Sequence, residues 1–218
     1  MQYKIDLHTH SILSYDGGIS KNEYVSTLES GLLNYIAITD HNEFDFGYKL
    51  SKDHPNKIIP GEEIMTKEGE VIGLYLEKKI NKNLGLEETI DQIKEQGGIV
   101  YIPHPFSRLQ YGIGKELCLK FKDKIDIIEC FNSRAKLKSD NNNAFNFVKS
   151  NNIPTASSTD AHTHLTLGRS FSIVNEEVTK QNLISLLSKA EYKKEYAPSF
   201  REKFAPTLNV IKHLFIPR

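Results

Sequence analysis

Short apolar runs rich in isoleucine, valine and leucine recur along the first 175 residues of the chain, and they predict β-strands. Polar and turn-forming residues separate each run from the next. The candidate strands are residues 3–10, 35–42, 56–64, 70–77, 99–105, 124–132, 153–162 and 170–174.

Helical periodicity follows many of these strands. In residues 85–98 the side chains of Leu86, Ile90 and Ile93 fall on one face, and a glycine pair ends the helix. Strands that alternate with helices favour an α/β fold with a parallel sheet. Further helices are predicted over residues 20–32, 142–151 and 179–190.

This alternation fits two architectures, an open doubly wound sheet and a closed, slightly small barrel. The chain has no GxGxxG or GxxxxGK[ST] motif, which weakens the case for a nucleotide-binding doubly wound fold. The pattern changes near residue 192, so we divide the chain into a domain over residues 1–192 and a tail over residues 193–218. An amphipathic stretch around Leu208 to Phe215 predicts one helix in the tail, packed on the barrel.

Composition limits the classes of partner. The 218 residues include 28 Lys+Arg and 28 Asp+Glu, so the formal net charge is zero, which argues against long nucleic acids and acidic membrane surfaces. No apolar stretch approaches the roughly 18 residues of a membrane span, and no signal segment opens the chain. Cys118 and Cys130 lack metal-ligand spacing and are expected to be buried free thiols. We expect a cytoplasmic protein of undetermined oligomeric state.

Five of the eight histidines lie at the predicted carboxyl ends of strands. His8 and His10 are two residues apart, so on a strand both side chains point to one face. Asp160 and His162 repeat this spacing at the end of a later strand. In barrels and in open α/β sheets, active sites are built at this edge. The other polar residues near strand ends are Asp40, His41, Glu62, Glu63 and His104.

Imidazoles mixed with carboxylates, without thiolates, favour Mn, Zn or Fe over Mg or Ca. The candidate ligands are too many for one tetrahedral ion. We therefore expect two or three divalent transition-metal ions, with one carboxylate bridging. Clustered metal ions activate a water as hydroxide and clamp the oxygens of an in-line displacement at phosphorus.

The motifs "DLHTHS", "SYDG", "ITDHN", "PGEE", "IPHP" and "STDAH" occur in this order and resemble those of the PHP superfamily, named for polymerase and histidinol phosphatase. The resemblance covers roughly residues 1–175. It implies an α/β fold of the PHP type, a distorted TIM-like (β/α)7 barrel. It also implies a trinuclear metal site at the carboxyl ends of the strands.

The resemblance further implies roles for individual residues. The implied ligands are His8, His10, Glu63 and Asp160 for one metal, Glu63 and His104 for a second, and Asp16, His41 and His162 for the third. Among them, Asp16, Glu63 and Asp160 are expected to be catalytic. Asp40 is expected to orient a ligand.

This chain departs from the full ligand set at one point. Members with nine ligands have a further histidine after the strand that corresponds to "KIDIIECFN", where this chain has only Glu129 and Asn132. The second metal is therefore expected to be weakly held. Glu62 is expected to be structural, although spacing alone does not separate it from Glu63.

Three of only five arginines, Arg108, Arg134 and Arg169, follow the strand ends that carry the motifs. A guanidinium binds phosphate with two parallel hydrogen bonds, which lysine does not reproduce. We expect these arginines and Asn132 to bind substrate, with surface salt bridges as the alternative for each arginine.

These observations predict a metal-dependent phosphatase or phosphoesterase. A metal-bound hydroxide would hydrolyse a phosphate ester of a small metabolite, such as a nucleotide or histidinol phosphate. Two alternatives stay open: an exonuclease-like phosphodiesterase acting on short oligonucleotides, and a non-catalytic metal-binding regulatory module. Amidohydrolase-like C–N hydrolysis is disfavoured, because such barrels use a carboxylated lysine on a strand and no lysine lies among these motifs.

Overall fold

The computed structural model describes residues 1–197 together with residues 209 and 210. In this part of the chain nine strands, β1 to β9, form one sheet. In chain order they are Tyr3–Asp6, Tyr35–Ile38, Ile58–Met65, Glu70–Leu74, Ile99–Ile102, Ile127–Asn132, Thr155–Ser158, Phe171–Val174 and Glu191–Lys193. The predicted strands are confirmed as β1 to β8, and β9 is an additional short strand.

Six α-helices lie within residues 1–197. In chain order α1 to α6 are Lys21–Glu29, Asp45–Asp53, Leu86–Glu95, Gly114–Lys120, Lys138–Asn151 and Leu183–Leu187. The predicted helices are confirmed as α1, α3, α5 and α6. α1 begins at a capping box, because the Ser20 hydroxyl accepts from the Glu23 N–H while the Glu23 carboxylate accepts from the Ser20 N–H.

The strand order in the sheet is β7-β6-β5-β4-β3-β2-β1-β8-β9. Strands β1 to β3 are parallel to one another, as are β5 to β7. The expectation of a parallel sheet is wrong for β4, β8 and β9, which are antiparallel to their neighbours. For β4 the reason is the connection: residues 66–69 alone join β3 to β4, and so short a link permits only a hairpin.

The sheet curves until its two ends nearly meet. Beyond β1, Thr9 forms an isolated parallel bridge with Ala161, which lies beyond β7, and the His10 N–H donates to the Ala161 carbonyl at 2.8 Å. One cluster of buried apolar side chains includes residues from every strand from β1 to β8, which requires a sheet that wraps around its own core. Its members include Ile5, Ala37, Ile59, Ile72, Tyr101, Ile127, Ala156 and Val174. The predicted TIM-like α/β barrel is thus confirmed.

The predicted boundary between domain and tail falls inside β9, which pairs with β8. Of the helix predicted around Leu208 to Phe215, only residues 209 and 210 are described, and both are helical; the rest lies outside the described residues. Within the described ranges, no helix combines the length and apolarity that crossing a membrane requires. Cys118 and Cys130 are buried and free, as predicted.

Candidate metal centre

His8 and His10 follow β1 and direct both imidazoles to the same place. The intervening Thr9 hydroxyl points the other way and donates to the Ala37 carbonyl at 2.7 Å, as alternation in an extended chain requires. The Nε2 atoms of His8 and His10 are 3.1 Å apart and lie 3.2 and 3.3 Å from Glu63 Oε2. All three side chains are fully buried. Two imidazoles and a carboxylate that converge in this way are suited to a divalent metal ion.

Glu63 lies in β3 and faces histidines with both of its oxygens. Oε2 is also 3.2 Å from Nδ1 of His41, while Oε1 is 3.1 Å from Nε2 of His104. A carboxylate placed in this way can bridge two metal ions. The adjacent Glu62 points away from these histidines, and its Oε2 accepts a hydrogen bond from the Ile80 N–H at 2.9 Å. Glu63, and not Glu62, therefore belongs to the histidine cluster.

Asp160 and His162 follow β7 and approach from the other side of the barrel mouth. Asp160 Oδ1 lies 3.4 Å from Nε2 of His10 and 3.7 Å from Nε2 of His8. Several overlapping groups of side chains place their ligand atoms within 4.8 Å of one another. They are His8, His10 and Glu63; His8, His104 and Asp160; His10, Asp16, His41 and His162; and His41, Glu63 and Glu70. The structure brings all eight predicted ligands together.

Asp16 joins the cluster from the loop after β1. Its Oδ2 is 3.1 Å from Nε2 of His162 and 3.7 Å from Nε2 of His41. Asn209, from the tail, donates to the backbone carbonyls of Asp16 at 2.9 Å and His162 at 3.2 Å. A side chain near the end of the described chain therefore fastens two segments that carry candidate ligands.

Glu70 is a further carboxylate in the cluster, and the sequence analysis did not identify it. It is buried, with Oε1 at 3.3 Å from Nδ1 of His41 and Oε2 at 3.7 Å from Nε2 of His104. Because β4 runs antiparallel to β3, the beginning of β4 lies beside the end of β3, with Glu70 paired to Met65. The sequence signal was the short turn before Glu70, which reverses the chain at the site.

Glu129 and Asn132 occupy the region where fuller ligand sets have another histidine. Glu129 Oε1 accepts from the Tyr101 hydroxyl at 2.8 Å and faces Nδ1 of His8 at 3.2 Å, and Oε2 accepts from the His104 N–H at 2.7 Å. The Asn132 amide donates to Glu129 at 2.9 Å and to Asp160 at 3.2 Å. Through these contacts the two side chains can orient the candidate ligands His8, His104 and Asp160.

Two other buried carboxylates fix the backbone near the ligands. Asp40 accepts from the N–H and the hydroxyl of Ser11, each at 2.5 Å, and so holds the segment after His10. Asp6 accepts from the N–H and the hydroxyl of Thr159. Burial raises the pKa of both carboxyls to about 7, even though these hydrogen bonds favour the charged form.

The carboxylates control the protonation of the metal-free cluster. Burial opposes protonation of His8 and His41, but nearby carboxylates, Glu63 foremost, outweigh it and raise the pKa of both rings, to about 10 for His41. Conversely, neighbouring histidines overcome the effect of burial on Glu63 and lower its pKa. His10 behaves differently: burial, and then His162 and His41, lower its pKa to about 3.

Metal uptake by the metal-free protein is therefore expected to release protons. His41 carries a proton up to about pH 10, whereas a metal requires the neutral ring, so Mn affinity should rise with pH through neutrality. Protonation of His41 also stabilises the metal-free fold. This contribution is complete below the ordinary histidine pKa of 6.5 and is lost as the pH rises towards 10. Calorimetry of Mn binding at pH 7 in two buffers of different protonation enthalpy measures the release. Identical apparent enthalpies in the two buffers would contradict it.

Two candidate ligands have a backbone conformation that side chains rarely adopt. The φ angle is +27° at His104 and +53° at Asp160. A non-glycine residue at positive φ costs of order 1–3 kcal/mol, and it persists only where surrounding contacts determine it. Here those contacts include the hydrogen bond from the His104 N–H to Glu129.

The candidate ligands other than His8 and His10 border a cavity of about 220 Å³, which we call the metal pocket. Arg134 lines it; its Nη1 lies 2.9 Å from Asp160 Oδ1 and 2.6 Å from Nδ1 of His162. Its buried Nε has no hydrogen-bond partner among the described residues. Gln110 also lines the pocket and donates to Asp160 Oδ2 at 2.9 Å.

The other two arginines lie elsewhere. Arg108 lines a larger cavity beside the metal pocket, and Arg169 pairs with Glu195, with 2.6 Å between Nη1 and Oε1. Tyr15 and Tyr111 line the metal pocket with 55% and 64% of their surface exposed. The pocket thus combines buried nitrogen and oxygen donors, the cationic side chains of Arg134 and Lys136, and an aromatic rim. Such a donor set fits divalent transition metals.

The chain matches one family model and two curated sequences. The sequence model of a family described as "PHP domain" matches residues 6–213. Among curated sequences, the chain is 37% identical over 158 residues to the uncharacterized protein MJ1587 of Methanocaldococcus jannaschii, covering 66% of this chain and 91% of that protein. It is 36% identical over 173 residues to MJ0417 of the same organism, covering 73% of this chain and 65% of that protein.

Solved structures of the same architecture come from distant proteins. A two-domain Bacteroides vulgatus protein containing a predicted PHP-like metal-dependent phosphoesterase aligns with a TM-score of 0.69 at 18% identity, covering 89% of this chain and 65% of that one. The lesion-specific endonuclease PfuEndoQ of Pyrococcus furiosus aligns with a TM-score of 0.61 at 17% identity, covering 87% and 56%. At these identities the likeness concerns the fold.

Proposed function

The chain belongs to the PHP domain family, whose members include PHP-like metal-dependent phosphoesterases, and on that premise we propose that it hydrolyses phosphate esters of small metabolites. One observation above all supports the proposal. The two oxygens of Glu63 face different histidines, so that neighbouring groups of candidate ligands share one carboxylate. Metal ions held side by side in this way suit displacement at phosphorus.

Two or three divalent Mn, Zn or Fe ions would be held by the eight ligands predicted from the sequence, with Glu70 as an added carboxylate. When bound, such ions supply Lewis-acid activation of water and neutralise charge that develops on the phosphate oxygens. Asp16, Glu63 and Asp160 would hold ions closest to the reacting phosphate. The full set is His8, His10, Asp16, His41, Glu63, Glu70, His104, Asp160 and His162.

Arg134 is proposed to bind the phosphate of the substrate. Its guanidinium lies against Asp160 and His162 and lines the metal pocket beside the candidate ligands. Buried guanidinium groups give strong hydrogen bonds to phosphate oxygens. Asn132 supports this arrangement, because its Oδ1 accepts from the Arg134 N–H at 2.8 Å and its amide donates to Asp160. We therefore assign Asn132 to positioning.

The volume of the metal pocket, about 220 Å³, suits a phosphate group with a small part of its leaving group. The exposed rings of Tyr15 and Tyr111 at the rim favour a planar leaving group over a purely aliphatic one. The same rim supports the second candidate, cleavage of short oligonucleotides, because bases stack on aromatic side chains. PfuEndoQ, a protein of similar fold, is an endonuclease, which is a further reason to test oligonucleotide cleavage.

A phosphate-release assay tests the proposal. Mn-loaded protein is incubated with a panel of phosphomonoesters, which includes nucleoside monophosphates and histidinol phosphate, and with dinucleotides. We expect inorganic phosphate from at least one monoester, loss of activity with a chelator, and recovery with added Mn. Cleavage of dinucleotides alone would favour the exonuclease-like activity. Metal binding without hydrolysis of any substrate would instead indicate a regulatory module.

A further inference from the structure

A second cavity, of about 690 Å³, lies beside the metal pocket on the other side of the loop that follows β5. His104, Gln110 and Tyr111 of this loop border the metal pocket, whereas Phe106 and Arg108 border the second cavity. Its volume falls within the range of roughly 300–1,000 Å³ that is typical of small-molecule sites. None of the candidate metal ligands lines it.

The charge of the second cavity is entirely positive. Arg108 and Lys115 are the charged residues that line it, and no carboxylate is among its lining residues. Both side chains are exposed. In the part of the chain that the structure describes, neither makes an ion pair, although the chain as a whole carries 28 Asp+Glu. Two unpaired cations on one concave surface favour an anionic ligand, and phosphate suits the arginine.

Helix α5 contributes an unusual face to this cavity. Asn143, Asn146 and Ser150 line it and are spaced at i, i+3 and i+7, which places them on one side of the helix. Asparagine and serine are poor helix formers, so exposed positions normally carry better ones. The buried Asn141 has a structural role, since its amide donates to the Asn132 carbonyl. Asn143 and Asn146 are exposed, and their side-chain amides have no hydrogen-bond partner among the described residues.

An aromatic surface completes the lining. Phe106 is half-buried and packs edge-on against Phe147, with ring centroids 5.3 Å apart and an interplanar angle of 84°. Both rings line the cavity. A phenyl ring beside amide groups can hold a heterocycle, because the ring packs on its face while the amides donate to and accept from its edge.

We propose that the second cavity binds a nucleoside monophosphate, with its phosphate on Arg108 and Lys115 and its base against Phe106, Asn143 and Asn146. The cavity is separate from the metal pocket, so this binding requires neither metal nor hydrolysis. The ligand would contact the loop that also presents His104 and Gln110 to the metal pocket. This arrangement gives a bound nucleotide a direct physical connection to the metal centre.

The test is calorimetric titration of AMP into the full chain after treatment with a chelator. We expect Arg108→Ala and Lys115→Ala each to weaken AMP binding by about tenfold, the scale of one charge-assisted contact. Asn146→Ala should weaken it as well. Lys120→Ala is the matched control, because Lys120 lies on the same helix as Lys115 but outside the cavity, and this variant should bind AMP like the unaltered chain.

Two further titrations show which cavity binds AMP and which parts of AMP are bound. Asp160→Asn alters the metal pocket and should leave AMP affinity unchanged, whereas adenosine and inorganic phosphate should each bind at least tenfold more weakly than AMP. Loss of AMP binding in Asp160→Asn, with retention in Lys115→Ala, would place the nucleotide in the metal pocket and overturn the proposal. Phosphate binding as tight as AMP binding would overturn the base contacts, and no AMP binding would overturn the site.

Discussion

Glu63→Gln is expected to lower kcat/KM for phosphomonoesters by about 10³-fold or more, equivalent to roughly 4 kcal/mol of lost transition-state stabilisation. Glutamine keeps the shape of the side chain but removes the negative charge that faces His8, His41 and His104. A neutral amide is a poor bridging ligand, so the number of metal ions per chain should also fall. Elemental analysis and steady-state kinetics on the same preparation measure both effects.

The neighbouring residue provides a matched control. Glu62 is equally buried in β3, but its carboxylate accepts from the Ile80 N–H, which a glutamine carbonyl can do as well. Burial already raises the pKa of Glu62 to about 7, so Glu62→Gln resembles the protonated form and should keep both metals and activity. If Glu63→Gln retained its metals, or if the two variants lost metal equally, Glu63 would not be the shared ligand.

Arg134→Ala is expected to lower kcat/KM by about 10²-fold or more, roughly 3 kcal/mol, which is the scale of one preorganised donor to developing charge. Arginine cannot coordinate a cation, so the metal content of this variant should stay the same. Burial opposes the ionisation of Asp160, but the neighbouring groups, Arg134 foremost, outweigh it and lower its pKa. In the loaded protein we expect metal ions to provide positive charge beside this carboxylate.

Arg134→Lys separates charge from geometry at this position. Lysine keeps the positive charge but loses the planar fork, so it should restore only part of the lost activity. Both variants are compared by metal analysis and by kinetics with one phosphomonoester. Near-normal kinetics for Arg134→Ala would remove Arg134 from phosphate binding. A loss of metal in parallel with activity would indicate that Arg134 mainly supports Asp160.

The strand-end argument predicted which side chains lie together, because most of the strands that precede the candidate ligands run in the same direction. The same argument did not identify Glu70, because β4 runs in the opposite direction and places its first residue, not its last, at the site. Hydrophobic periodicity does not show strand direction. Only the length of the connecting turn does, and the turn at residues 66–69 is too short for a crossover.

Loop residues were harder to place than strand residues. Sequence proximity to His104 suggested that Arg108 faces the metals, yet the loop path directs Arg108 to the second cavity and Gln110 to the metal pocket. That path depends on tertiary contacts and on unusual backbone angles, such as a φ of +52° at Tyr111, which no periodic pattern encodes. The contact of Asn209 with two ligand segments likewise joins parts of the chain far apart in sequence.

The left-handed backbone at His104 and Asp160 bears on how such a chain evolves. Glycine adopts positive φ at no steric cost, but it would remove the contact of His104 with Glu63 and that of Asp160 with Arg134. Under the proposed function, the ligand role explains why residues with side chains occupy these two positions in spite of the backbone cost. A lineage that held no metal ions here would keep that backbone cost without the ligand role. In such a lineage we expect Asp160 to change together with Arg134, because replacing Asp160 alone would leave the guanidinium buried without its carboxylate.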